Sequence, residues 1–238
     1  MRNIWVIGKR EFISYFSSPI AYVAISVFLV VVGLKFFVVD SFFENGEASL
    51  RSFFGLVPAF FVFYLPAVAM RLVSEEKRLG TFELLATLPV SDAEIILGKF
   101  VGALGFLAVT LLLTLVYPLI LVSLGDPDGG AIFGGYLGLA LIGASFIAVT
   151  IMSSAWTGSQ IVAYIVGAVL SSLFFFIDKI LEAFWEGAKD VAAYVSFDAH
   201  FTNFTRGVLD TRDLVFFVTM TAICLVVATF SLNRRRWN

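Results

Sequence analysis

Long apolar runs alternating with short polar stretches organise the chain. Six runs stand out: Ile20–Val39, Phe53–Leu72, Phe100–Leu121, Ile132–Ser154, Ile161–Ile177 and Leu214–Leu232. Each is close to the roughly 20 residues that a helix needs to cross a hydrocarbon core of about 30 Å. The runs are apolar all round, whereas a β-barrel shows alternation in strands of roughly ten residues. The pattern predicts an all-α polytopic membrane protein: six transmembrane helices in one domain, residues 1–238. No small-residue cleavage site follows Val39, so the first run is expected to remain as a span.

The stretches between the runs carry patterns of their own. In residues 1–19, Ile4, Trp5, Gly8, Phe12, Tyr15 and Phe16 recur at helical spacing, with Arg2, Lys9, Arg10 and Glu11 between them. This predicts an amphipathic helix in the membrane interface, ended by Pro19. A frayed basic tail is the alternative. In residues 73–99, Gly80 breaks the chain and Thr81 is placed to cap a short helix carrying Phe82, Leu84, Leu85 and Leu88. Pro89 stops that helix. Ser91 and Glu94 then have the spacing of a capping box, opening a helix that runs into the third span. An apolar helix beside water has to be covered. Two readings stand: packing on the protein's own spans, or docking into a soluble partner.

In residues 178–213, Ile180, Leu181, Phe184, Trp185, Ala188, Val191, Ala192 and Val195 form one stripe. Asp178, Lys179, Glu182, Glu186, Lys189 and Asp190 take the opposite face, the pattern of a helix lying on the outer leaflet. Phe197, His200, Phe201 and Phe204 predict a second short interfacial or re-entrant helix. The segment reads either as a lid over the bundle or as an outer gate built on Phe184, Trp185, Phe201 and Phe204.

Composition narrows the class further. Hydrophobic residues make up 60% of the 238, and charged residues only 14%, too few to coat a soluble globule. The basic residues are unevenly placed, and Lys and Arg in short loops are retained in the cytoplasm. Ten flank the even-numbered connections and both termini, among them Arg2, Arg71, Lys99 and Arg235, while five lie on the other side. Both termini are therefore expected in the cytoplasm, with the protein in the inner membrane. Lys35 stands alone inside a run, near the outer end, where it is expected to snorkel to the headgroups.

Several chemistries are missing. There is one Cys, Cys224, and one His, His200, so no disulfide and no zinc-type ligand set is available. No Walker-type phosphate cradle or nucleophile elbow occurs. No carboxylate relay lines the runs, which disfavours a proton-driven carrier. Gly98 with Gly102 and Gly134 with Gly138 permit close helix approach. Pro58, Pro66 and Pro118 predict kinks.

The run Arg71 to Leu85, with Glu75-Glu76-Lys77-Arg78-Leu79-Gly80-Thr81-Phe82-Glu83-Leu84-Leu85, then Leu88-Pro89-Val90-Ser91 and Leu97-Gly98-Lys99-Phe100, resembles the permease subunits of type-2 ABC exporters. The run His200 to Asp210 and the terminal Arg235-Arg236-Trp237 resemble the subgroup near gliding-motility and nitrous-oxide-reductase-maturation permeases. The resemblance implies an elbow helix over residues 1–18, a coupling helix near Thr81–Leu88, and short outer helices before the sixth span. It implies two permeases, this chain with itself or a paralogue, and an ABC ATPase dimer that binds ATP and Mg. The chain itself then needs no cofactor and is not an enzyme. Glu75, Glu76, Gly80, Thr81, Phe82, Glu83, Leu84 and Leu85 would meet the ATPase. The expected function is ATP-driven export of a hydrophobic or amphipathic substrate. The alternative is a membrane scaffold passing ATPase motion to a periplasmic or outer-leaflet accessory protein. The lipid bilayer is an expected partner and nucleic acid is not.

Overall fold

The computed structural model describes residues 2–39, 49–81, 90–125, 127–184 and 194–233. Among these residues there is no strand. The helices are α1 (Arg2–Phe16), α2 (Pro19–Leu34, continued by a π-helical turn Lys35–Val39), α3 (Arg51–Ala69), α4 (Arg71–Leu79), α5 (Asp92–Thr114), α6 (Val116–Leu124), α7 (Gly129–Trp156), α8 (Gln160–Phe184), α9 (Phe197–Thr205) and α10 (Thr211–Asn233). Among the described residues six helical stretches are long and apolar enough to cross a membrane: Pro19–Val39, Arg51–Leu79, Asp92–Leu124, Gly129–Trp156, Gln160–Ala183 and Thr211–Leu232. The chain is an all-α, multi-pass membrane protein.

Local chemistry sets the element boundaries. Pro19 occupies the first turn of α2 behind an N-cap from Ser18, so it opens the span as much as it closes α1. Ser91 and Glu94 make both bonds of the capping box that starts α5. Gly80 ends α4 in the left-handed conformation, φ 70°, which residues with a Cβ avoid. The fifth span continues without a break to Phe184. The expected surface helix therefore begins as an extension of that span, and Trp185 and residues 186–193 lie outside the described residues.

The prolines do not act alike. The helix breaks at Leu115, three residues before Pro118. Pro118 has no N–H to offer the Thr114 carbonyl, and its ring crowds that oxygen. The Tyr136 hydroxyl supplies the missing donor at 2.9 Å. By contrast, α3 continues as helix past both Pro58 and Pro66, and the boundary between α3 and α4 falls beyond them, at Met70.

Helix α7 is the axis of the bundle. It packs against α3, α4, α5, α8, α9 and α10. Lipid is as apolar as a core Leu, so this packing is stabilised by close contact and buried hydrogen bonds rather than by release of water. Glycines provide the closeness. A Cβ on Gly135 would lie 2.3 Å from the Phe54 ring, and one on Gly143 would lie 2.7 Å from Leu107. The outward faces stay apolar: Ile20, Val23, Val27 and Val30 on α2, and Ile161, Ile165 and Val169 on α8, are exposed to the surroundings of the bundle.

Candidate functional site

Two polar clusters mark the two ends of the bundle. The first joins α1, α4 and the start of α5. A small-residue seam brings α1 against α5: a Cβ on Gly98 would sit 2.6 Å from Ile7, and one on Gly102 would sit 2.6 Å from Glu11. That approach delivers Glu11 to Lys99. The Lys99 ammonium lies 2.8 Å from Glu76 Oε1 and 3.2 Å from Glu11 Oε1, and Lys99 is only 1% exposed. Arg10 reaches the same two carboxylates at 3.0 and 3.3 Å. Alongside, the Tyr15 hydroxyl donates to the Val68 carbonyl, and the Arg71 guanidinium lies 4.9 Å from the Tyr15 ring centre. Burial pushes the Tyr15 phenol well above its ordinary range. These groups line a polar cleft of about 450 Å³.

The sequence-predicted coupling residues divide across this cluster. Glu76 is one of its anchors. Glu75 is half-buried in the cleft wall. Gly80 and Thr81 are exposed at the end of α4, with Thr81 Oγ1 donating back to the Glu76 carbonyl. Phe82, Glu83, Leu84 and Leu85 lie outside the described residues. The role of Lys99 is what sequence reasoning missed: it entered as a topology marker and as part of the resembled run, although it is the most buried charge of the cluster. Lys35 is therefore not the single charge of the spanning helices.

The second cluster ties α9 to α10 at the opposite end. Ser196 caps α9. His200 Nδ1 lies 2.5 Å from Asp213 Oδ1, and His200 Nε2 lies 3.2 Å from the Tyr194 carbonyl oxygen. Asn203 Nδ2 donates to Asp213 Oδ2 at 2.8 Å. Phe216 stacks on the imidazole with centroids 4.0 Å apart. Gly134 and Gly138 let α9 settle onto α7: a Cβ on Gly134 would lie 2.5 Å from the Phe204 carbonyl oxygen, and one on Gly138 would lie 2.9 Å from the Phe201 ring. Phe201 and Phe204, two of the expected gate residues, are buried in the bundle. Phe184 is the last residue of α8. Among the described residues no group of three His, Cys, Asp or Glu stands where it could hold a metal ion.

This is a membrane bundle with the short helix α9 packed into one end and an ion-paired cleft at the other. The family model of the ABC-2 type transporter matches residues 2–178. The chain belongs to the ABC-2 type transporter family. Among curated proteins, none matches it. Membership makes the chain a membrane subunit of an ABC transporter, a transport component in a family that is generally not catalytic. It also implies an ABC ATPase as partner and a bilayer as setting. The matched residues contain the whole Lys99 cluster. They stop before α9, so the His200–Asp213 cluster belongs to the part beyond the match.

Proposed function

We propose that this chain couples ATP hydrolysis by a separate ATPase dimer, which binds ATP and Mg, to outward movement of a hydrophobic or amphipathic substrate. Two copies would form the membrane unit in the inner membrane, with both termini and the Lys99 cluster facing the cytoplasm. In this reading the chain stands near the gliding-motility and nitrous-oxide-reductase-maturation permeases, which its C-terminal run from His200 resembles.

The observation that supports the reading best is the mounting of α4. One side of α4 is bound by charge to α1 and α5 through Glu76. Another is hydrogen-bonded to α7. Its last residues, Arg78 to Thr81, stand exposed. A force applied to residues 81–88 would therefore enter the bundle through a fixed lever. Phe82→Asp together with Leu85→Asp would place two charges in the apolar sequence segment proposed to meet the ATPase. The double variant should still reach the membrane but lose most of the co-purifying ATPase. Undiminished co-purification would contradict the reading.

A further inference from the structure

The boundary between α3 and α4 coincides with a contact from another helix. Ser154, two residues from the end of α7, puts its hydroxyl into the backbone ladder of the second span. Ser154 Oγ accepts from Val73 N at 3.2 Å and from Ser74 N at 2.9 Å, and donates to the Met70 carbonyl at 2.7 Å. In an unbroken helix Ser74 N would donate directly to Met70 O. Here a hydroxyl from a different helix stands between them.

A serine hydroxyl has one proton to give and two lone pairs to offer, and all three are used. The second lone pair of the Met70 carbonyl takes the Ser74 hydroxyl at 2.6 Å. Val73, Ser74 and Ser154 are each fully buried, so water cannot replace these bonds. A side chain inserted into the i→i−4 ladder is one of the few established causes of a helix break. It coincides with the boundary between α3 and α4 at Met70, a residue whose own dihedrals stay helical.

The same corner is held twice more. The Lys77 ammonium donates to the Ala155 carbonyl, and the Ser231 hydroxyl of α10 donates to that carbonyl at 3.4 Å. The end of α7 thus holds α4 on one side and α10 on the other. The direct backbone ladder from α4 to α3 is interrupted at this point.

We propose that Ser154 is a positioning residue for coupling: its hydroxyl makes α4 travel with α7, so that motion arriving through residues 80–90 is delivered to the fourth span. The proposal rests on the ATPase-coupled reading above. It concerns a residue outside the coupling segment, and its loss would separate hydrolysis from movement without removing the ATPase contact.

The test uses spin-label distances in the full chain in lipid nanodiscs, with Cys224 replaced by Ala and the ATPase present if it associates. Labels at Leu79 and Trp156 report α4 against α7. Labels at Ser52 and Leu209 report the opposite end. In the parent, the Leu79–Trp156 distribution should be narrow and unchanged by ATP with vanadate, while the Ser52–Leu209 distance shifts. Ser154→Ala should broaden the first and abolish the shift in the second, with ATPase association and hydrolysis retained. Ser154→Thr keeps the hydroxyl and should behave as the parent. A narrow Leu79–Trp156 distribution in Ser154→Ala, or a surviving Ser52–Leu209 shift, overturns the proposal. An absent ATPase is the failure of the coupling reading, and the nucleotide-free width in Ser154→Ala then decides the splice by itself.

Discussion

Lys99→Met should lower the stability of the folded bundle by about 3 kcal/mol, the low end of the cost of leaving a buried ion pair half-made. Among the described residues the ammonium is the one buried cation within reach of both Glu11 and Glu76. Arg10, the other cation, has a side chain 56% exposed, against 2% for Lys99. With Lys99 gone, two carboxylates that are each about 15% exposed face one another with only Arg10 to offset them. Among the described residues, Glu76 Oε2 has no hydrogen-bond partner. The thermal midpoint in detergent should fall by roughly 6–12 °C, using about 2–4 °C per kcal/mol for a chain of this size. The same substitution in a Glu11→Gln, Glu76→Gln background should cost far less, because the charges it strands are already gone. A midpoint for Lys99→Met within about 2 °C of the parent would show that the cluster is not a stabilising joint.

Asp213→Ala should cost a similar amount at the other end, about 3 kcal/mol. It strands a buried group on His200 and a part-buried donor on Asn203 at once, and each unsatisfied buried group costs about 1–3 kcal/mol. His200 Nδ1 loses its partner at 2.5 Å and Asn203 loses its partner at 2.8 Å, and both side chains belong to α9. Asp213 is also an acid in the first turn of α10, where it favours the helix N-terminus. The α9 cap should therefore loosen from the last span before the bundle itself opens. The measurement is trypsin cleavage after Arg206, in the exposed turn that follows α9, alongside the thermal midpoint. Cleavage should accelerate several-fold in Asp213→Ala and much less in Asp213→Asn, which keeps the shape and one acceptor. Unchanged cleavage and midpoint would mean that α9 is held by the Gly134 and Gly138 contacts alone.

What could be read from the sequence followed from local physics. Hydropathy over some twenty residues marks a span because the bilayer demands it. The α5 start was legible because a capping box needs only residues three apart. Gly98 and Gly102 were legible as a seam, although nothing in the sequence named α1 as the helix received there. The missed features share one property, which is separation along the chain. Lys99 pairs with a residue 88 positions away, and from the sequence alone a lysine at a span border looks like any other topology marker. Ser154 acts on a backbone 80 residues away, and a lone serine in an apolar run reads as a small packing residue. His200 and Asp213 lie 13 positions apart across a turn at Gly207, whose φ of 75° no hydropathy pattern reveals. Pro66 is a different case: α3 runs through it as continuous helix, and the boundary with α4 falls four residues later, where Ser154 enters the ladder, a contact that no local signal announces.

The permease is proposed to work with a separate ATPase. The most direct measurement is affinity purification of the tagged chain from native membranes in gentle detergent with added nucleotide, followed by mass spectrometry of the eluate. A stoichiometric ATPase subunit carrying a phosphate-binding loop is the expected result. An eluate containing the permease without any such ATPase would contradict the account.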